Sequence, residues 1–139
     1  MTATLQTVRF LIVEDHAFQR QMLEQLLRSL GATEIRSAAN GAKAVGMLRD
    51  SPDVDIVISD VSMPEVDGIE LIPMLARLAP GASLLLASVE DWALNVGKAI
   101  AEKHRIPLLG VLRKPLAPDN LRPLLEAYLA GAKAADPPL

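Results

Sequence analysis

Four short aliphatic runs, each stopping at a polar residue, and one weaker strand candidate, all followed by stretches of helical period, leave this chain few folds to adopt. Val8 to Val13 is a compact β-rich run that ends at Glu14-Asp15. Ala17 to Leu30 then places Phe18, Met22, Leu23, Leu26, Leu27 and Leu30 mostly three or four residues apart, the apolar stripe of an amphipathic helix stopped by Gly31. Glu34 to Ala38 is a weaker strand candidate, and Asn40-Gly41 signals a turn before a short helix over Ala42 to Leu48. Pro52 breaks the chain ahead of a strand over Val54 to Ser59, which ends at Asp60. Gly68 to Leu78 reads as a helix with Pro73 near its first turns, where proline is tolerated. Ser83 to Ala87 is a continuous apolar strand ending at Ser88, and Asp91 to His104 a helix whose N-terminus Asp91 can cap or charge-complement. Leu108 to Leu112 is the last strand, ending at Arg113-Lys114, and Pro118 suits the first turn of a last helix reaching Tyr128.

Five βα units in succession predict an α/β domain, a doubly wound parallel sheet with five helices covering its two faces and right-handed crossovers. Near-continuous apolar strands agree with this, because strands of such a sheet are buried on both sides. The chain's 139 residues suit one domain, since domains usually hold roughly 100–200 residues. We expect that domain over residues 1–130, with Gly131 to Leu139, rich in Ala and Pro, as a tail or the start of a linker. Half of the residues are apolar but only 3% aromatic, so the core must be aliphatic. The chain contains no cysteine, which excludes a disulfide scaffold, thiolate metal sites and a thiol nucleophile. A net charge of −3 argues against direct nucleic-acid binding, which draws on a basic excess. With no secretory signal and no membrane-length apolar run, the expectation is a soluble cytoplasmic protein without a membrane partner.

Ligands of an open α/β sheet bind at the carboxyl ends of its strands. Those ends bear Glu14-Asp15, Asp60, Ser88 and Lys114-Pro115, so three carboxylates, a hydroxyl and an ammonium should converge. Carboxylate oxygens are the ligands Mg²⁺ accepts. A carboxylate beside such an ion can attack phosphorus and form an aspartyl-phosphate, while the ion and a lysine neutralise the phosphoryl oxygens. A hydroxyl that moves to the phosphoryl group would turn this chemistry into a change of shape. Each residue also has a plainer role to fill. Asp60 can cap a turn, Glu14-Asp15 can complement the following helix dipole, and Lys114 can be a solvated charge. His16 and His104 are isolated, and with no cysteine in the chain they argue against a zinc site. Met22, Met47 and Met74 are read as core filling, and Trp92 as a surface contact or a packed helix start.

From about Val8 to Leu129 the chain resembles the receiver domains of two-component response regulators. The resemblance rests on Leu11-Ile12-Val13-Glu14-Asp15, on Asp60-Val61-Ser62-Met63-Pro64 with Asp67-Gly68, on Leu86-Ala87-Ser88 and on Lys114-Pro115, in that order. It implies a flavodoxin-like (CheY-like) sheet of order 2-1-3-4-5, and a phosphoryl group accepted by Asp60 from a histidine kinase or a histidine phosphotransfer protein. It further implies Mg²⁺ held by Glu14, Asp15, Asp60 and the backbone carbonyl of Ser62, with Ser88 and Lys114 contacting the phosphoryl group. The Lys114-Pro115 peptide is expected to be cis. The change would spread to the fourth helix, fifth strand and fifth helix, a face that meets a downstream protein or output domain and that in this family often forms a homodimer. Such a protein is a switch and not a metabolic enzyme.

Three departures from the family pattern stand out. Val89 follows Ser88 where a small residue is usual, Val111 replaces the customary aromatic three residues before the lysine, and the stretch from Ser88 to Lys114 is a few residues long. Ala101 to Leu112 is similar to receivers joined to EAL-type cyclic-di-GMP phosphodiesterase domains. Two other functions compete. A haloacid-dehalogenase-like phosphatase would need a second Asp where Ser62 stands, and a cap insertion the chain lacks. A phosphorylation-independent adaptor of receiver shape fits Val89 and Val111 but leaves the acidic pair, Asp60 and Lys114 unexplained.

Overall fold

In the computed structural model, which describes residues 4–61 and 67–133, the runs become strands, the three central ones buried on both faces and the two edge ones only in part. Strands β1 (Arg9–Val13), β2 (Glu34–Ala38), β3 (Ile56–Asp60), β4 (Ser83–Ser88) and β5 (Leu108–Arg113) form one parallel sheet of order β2-β1-β3-β4-β5. Helices α1 (Ala17–Ser29), α2 (Gly41–Asp50), α3 (Asp67–Leu78), α4 (Asp91–Lys103) and α5 (Pro118–Lys133) alternate with them. Successive side chains of a strand point to opposite faces, and the sheet uses both. Leu11, Val13, Val57, Leu84 and Leu86 join Leu48, Leu71, Ile72, Leu75 and Leu94 in the core beneath α2, α3 and α4. Phe10, Ile12, Ile56, Ile58 and Leu85 join Leu27, Leu121 and Leu125 beneath α1 and α5. Truncating one of these fully buried leucines or isoleucines to Ala should cost about 2–5 kcal/mol.

Element boundaries differ from the sequence reading where side-chain chemistry intervenes. Asn40 is an N-cap and not merely a turn residue: its side chain accepts from Lys43 N at 2.8 Å, and α2 starts at Gly41. The strand expected from Val54 begins at Ile56, because the Asp55 carboxylate accepts from the Arg9 backbone and guanidinium at the foot of the sheet. A 3-10 turn over Leu5–Thr7, unannounced by periodicity, buries Leu5. The last helix runs past Tyr128 to Lys133. Asp91 stands in the first turn of α4, which Glu90 precedes without a side-chain cap.

The extra length before Lys114 is partly accounted for in β5. Leu84 pairs with Leu108 but Leu85 with Gly110, so Leu109 is an added residue in the ladder. Leu109 packs toward the α5 side of the sheet while Leu108 and Val111 pack on the other. Gly110 faces α5 closely, and a Cβ there would sit 2.5 Å from Leu124 Cδ1. Two expectations for α1 are corrected: Phe18 and Met22 are 67% and 54% exposed, so they are not core residues. They stand on the half of α1 nearer its N-terminus, by the strand ends, while Leu27 farther along is the helix's fully buried residue.

Candidate functional site

Strand register brings the polar residues together. Val13 pairs with Ser59, Asp60 with Ala87 and Ser88 with Arg113, so Glu14, Asp60, Ser88 and Lys114 follow one another at the carboxyl edge. Backbone bonds hold the residues beyond the ladder: Glu14 N donates to Ala38 O at 3.1 Å, and Lys114 N to Ser88 O at 2.9 Å. The Lys114-Pro115 peptide is cis. Glu14, Asp60 and Ser88 are buried, whereas Asp15 is exposed at the rim.

The centre of the site is the ammonium of Lys114. Its Nζ donates to Glu14 Oε1 at 2.6 Å, Gln19 Oε1 at 2.7 Å and Asp60 Oδ2 at 2.9 Å. Burial alone would lower the lysine's pKa, but its hydrogen bonds to Glu14 and Asp60, with their charges, outweigh that and raise it. Glu14 is pushed up from the ordinary glutamate value by burial and by the charge of Asp60, against the opposing bonds from Lys114 and the His16 amide. That amide donates to Glu14 Oε2 at 3.1 Å, so Glu14 also serves the start of α1, as its dipole invites.

Oxygen atoms of Glu14, Asp15 and Asp60 all lie within 4.8 Å of one another. A set of hard, anionic oxygens at that spacing fits a small divalent cation. Ser62, expected to add a carbonyl, lies outside the described residues, as do Met63 and Pro64. Ser88 Oγ accepts from the Glu90 amide at 2.9 Å, and Glu90 in turn accepts from the Trp92 indole at 3.1 Å. Trp92 is an exposed surface residue. Arg113 reaches across to the same loop, 3.3 Å from Asp91 and within 3.5 Å of the Val89 carbonyl.

A groove of about 540 Å³ opens over Asp60 and Lys114, lined by Phe18, Gln19, Met22, Val89, Leu116 and others. Sequence reasoning missed Gln19 and the groove. A glutamine on a helix has no motif value, and an apolar helical residue looks the same whether it faces a core or a cleft. Among the described residues, no helix is long and apolar enough to cross a membrane.

Comparison with known proteins agrees with this geometry. The family model for the response regulator receiver domain matches residues 10–126. The chain is 36% identical to chemotaxis protein CheY of Thermotoga maritima over 92 residues, 66% of this chain and 76% of that one. It is 32% identical to a protein-glutamate methylesterase/protein-glutamine glutaminase of Rhodopseudomonas palustris over 133 residues, covering 92% of this chain but only 35% of that protein's length. Among solved structures, CheY4 of Vibrio cholerae superposes with a TM-score of 0.72 at 27% identity, over 90% of this chain and 98% of that one. A receiver domain protein of Clostridium thermocellum gives 0.75 at 19% identity, over 92% and 98% of the two chains. A five-stranded sheet of order 2-1-3-4-5 with an acidic cluster and a lysine at its carboxyl edge, matched along most of its length by one family, leaves a single assignment: the chain belongs to the response regulator receiver domain family.

Proposed function

We propose that Asp60 accepts a phosphoryl group from a histidine kinase or a histidine phosphotransfer protein in the cytoplasm, and that the modified domain switches a surface read by a downstream protein. The observation that carries this reading is the Lys114 ammonium bridging Glu14 and Asp60 at 2.6 and 2.9 Å. A carboxylate oxygen held against a fixed cation is placed to attack phosphorus, and the same cation then meets the charge on the phosphoryl oxygens. Glu14, Asp15 and Asp60, with the Ser62 carbonyl, would hold Mg²⁺. When bound, the ion would supply further neutralisation of that charge. Ser88 would turn its hydroxyl toward the phosphoryl group, drawing on the loop that runs through Glu90 to Trp92.

The exposed Phe18 and Met22 support a protein phosphodonor. They line one wall of the groove that opens over Asp60, and an amphipathic helix presenting a phosphohistidine fits such an apolar cleft. On the output side, the resemblance of Ala101 to Leu112 to EAL-linked receivers supports a catalytic output domain in a longer parent. A phosphorylation-independent adaptor is the competing reading, favoured by Val89 at the mouth of the groove and by Val111 in place of an aromatic.

Intact mass after incubation with Mg²⁺ and acetyl phosphate tests the proposal. One added phosphoryl group is expected, absent from Asp60→Asn and from metal-free samples. Should small donors be blocked by Val89, a beryllofluoride titration decides. Absence of both the adduct and beryllofluoride binding would reject the phospho-switch in favour of the adaptor.

A further inference from the structure

An ammonium group has three N–H donors and no acceptor, and at Lys114 each donor has a partner. Two are the buried carboxylates of Glu14 and Asp60. The third is the side-chain oxygen of Gln19, an exposed residue in the first turn of α1, at 2.7 Å. Because lysine only donates, it is the amide oxygen and not the nitrogen of Gln19 that faces it. The first turn of α1 is itself latched to the end of β1, since Arg20 Nη1 donates to the Glu14 carbonyl at 2.9 Å. Gln19 is thus a fixed arm, reaching the site from a helix and not from a strand end.

We propose that Gln19 is a positioning residue for phosphoryl transfer, keeping the Lys114 ammonium over the reacting oxygen while its other partners change. This rests on the reading of Asp60 as phosphoacceptor. In the transfer an Asp60 oxygen forms a bond to phosphorus as the bond from phosphorus to the donor breaks, to nitrogen in a phosphohistidine or to oxygen in acetyl phosphate. The leaving atom keeps the electron pair, and an imidazole then takes up a proton. Asp60 loses its carboxylate charge as the acyl phosphate forms, so its hold on the ammonium weakens. Glu14 belongs to the carboxylate cluster that a cation would share. The neutral amide of Gln19 undergoes neither change. It remains the one acceptor of constant strength, which restrains a long, flexible lysine to the arc from which it can reach a phosphoryl oxygen.

The test compares Gln19→Leu, Gln19→Glu and wild type for phosphorylation by acetyl phosphate with Mg²⁺, alone and in a Lys114→Ala background. Gln19→Leu should lower the maximal rate about tenfold, short of the roughly hundredfold or more expected for losing a direct transition-state donor. The half-saturating acetyl phosphate concentration should not move. Gln19→Glu, which keeps an oxygen at the same reach but adds a charge that a cation could share, should recover part of the rate and not all of it. In the Lys114→Ala background Gln19→Leu should add nothing. Wild-type rates in Gln19→Leu, equal losses in the Leu and Glu variants, or an additive loss without Lys114 would each overturn the proposal. Gln19→Met replaces Gln19→Leu if the latter does not fold. Failure of the wild-type chain to take up either a phosphoryl group or beryllofluoride would instead remove the phosphoacceptor reading, before any variant is compared.

Discussion

Lys114 Nζ lies 2.9 Å from Asp60 Oδ2, a contact between residues 54 positions apart that the parallel pairing of β3, β4 and β5 creates. Neither residue could be buried comfortably without the other. The pair, with Glu14, is where a cost in stability is accepted for chemistry.

Removing Lys114 should expose that cost. Lys114→Ala should destabilise the fold by about 2 kcal/mol at neutral pH, less than the roughly 3–5 kcal/mol of a wholly buried pair, because the lysine side chain keeps 15% exposure. The sign with pH follows from Glu14. Its folded pKa is raised, so its contribution is fully present below the ordinary value of 4.5 and is lost as pH rises through the folded value. Without the ammonium that upward shift grows. Urea denaturation at pH 7 and near pH 4 should show the deficit of Lys114→Ala shrinking in acid; a pH-independent deficit would contradict the electrostatic account.

Val89 is exposed and lines the groove over Asp60. Val89→Ala should speed both phosphorylation by acetyl phosphate and loss of the phosphoryl group to water, each by up to about tenfold, or about 1.4 kcal/mol of barrier. Stability should stay within about 0.5 kcal/mol of wild type, as for surface positions generally. Time courses of intact mass, with and without donor, measure both rates.

Trp92 is the chain's sole tryptophan, and its indole is tied through Glu90 to Ser88. Movement of the Ser88 hydroxyl toward a phosphoryl mimic should therefore change Trp92 emission when Mg²⁺ and beryllofluoride are added. The change should vanish in Asp60→Asn and shrink in Ser88→Ala. A steady-state fluorescence titration suffices.

Gly110 leaves room for Leu124 of α5, and a Cβ would fall 2.5, 3.1 and 3.4 Å from three of its carbon atoms. Gly110→Ala should destabilise by about 1–2 kcal/mol, since overpacking outweighs the gain in strand propensity. Gly110→Ala combined with Leu124→Ala should fall short of the sum of the single losses, because the two changes share one space. Guanidinium denaturation of the four proteins closes the cycle.

The order and type of all ten main elements could be read from the sequence, because short continuous apolar runs and stripes of period 3.6 are local signals. So could Glu14, Asp15, Asp60, Ser88 and Lys114, since each ends a run, and strand ends in such a sheet are where polar side chains converge. What remained illegible depended on distance across the fold. Phe18 and Met22 share the helical stripe of buried Leu27, yet the end of the sheet leaves them facing a groove. The extra residue in β5 became visible only through its partner strand, where Leu85 pairs with Gly110. Gln19 carries no motif and reaches Lys114, 95 positions away, only because α1 packs beside the strand ends. The sequence by itself determined the elements, their order and the polar residues at the strand ends, because period and strand termination are properties of neighbours in the chain. Only the tertiary structure decided which acceptors surround the ammonium and which apolar residues stay exposed, because those depend on how helices pack against the sheet.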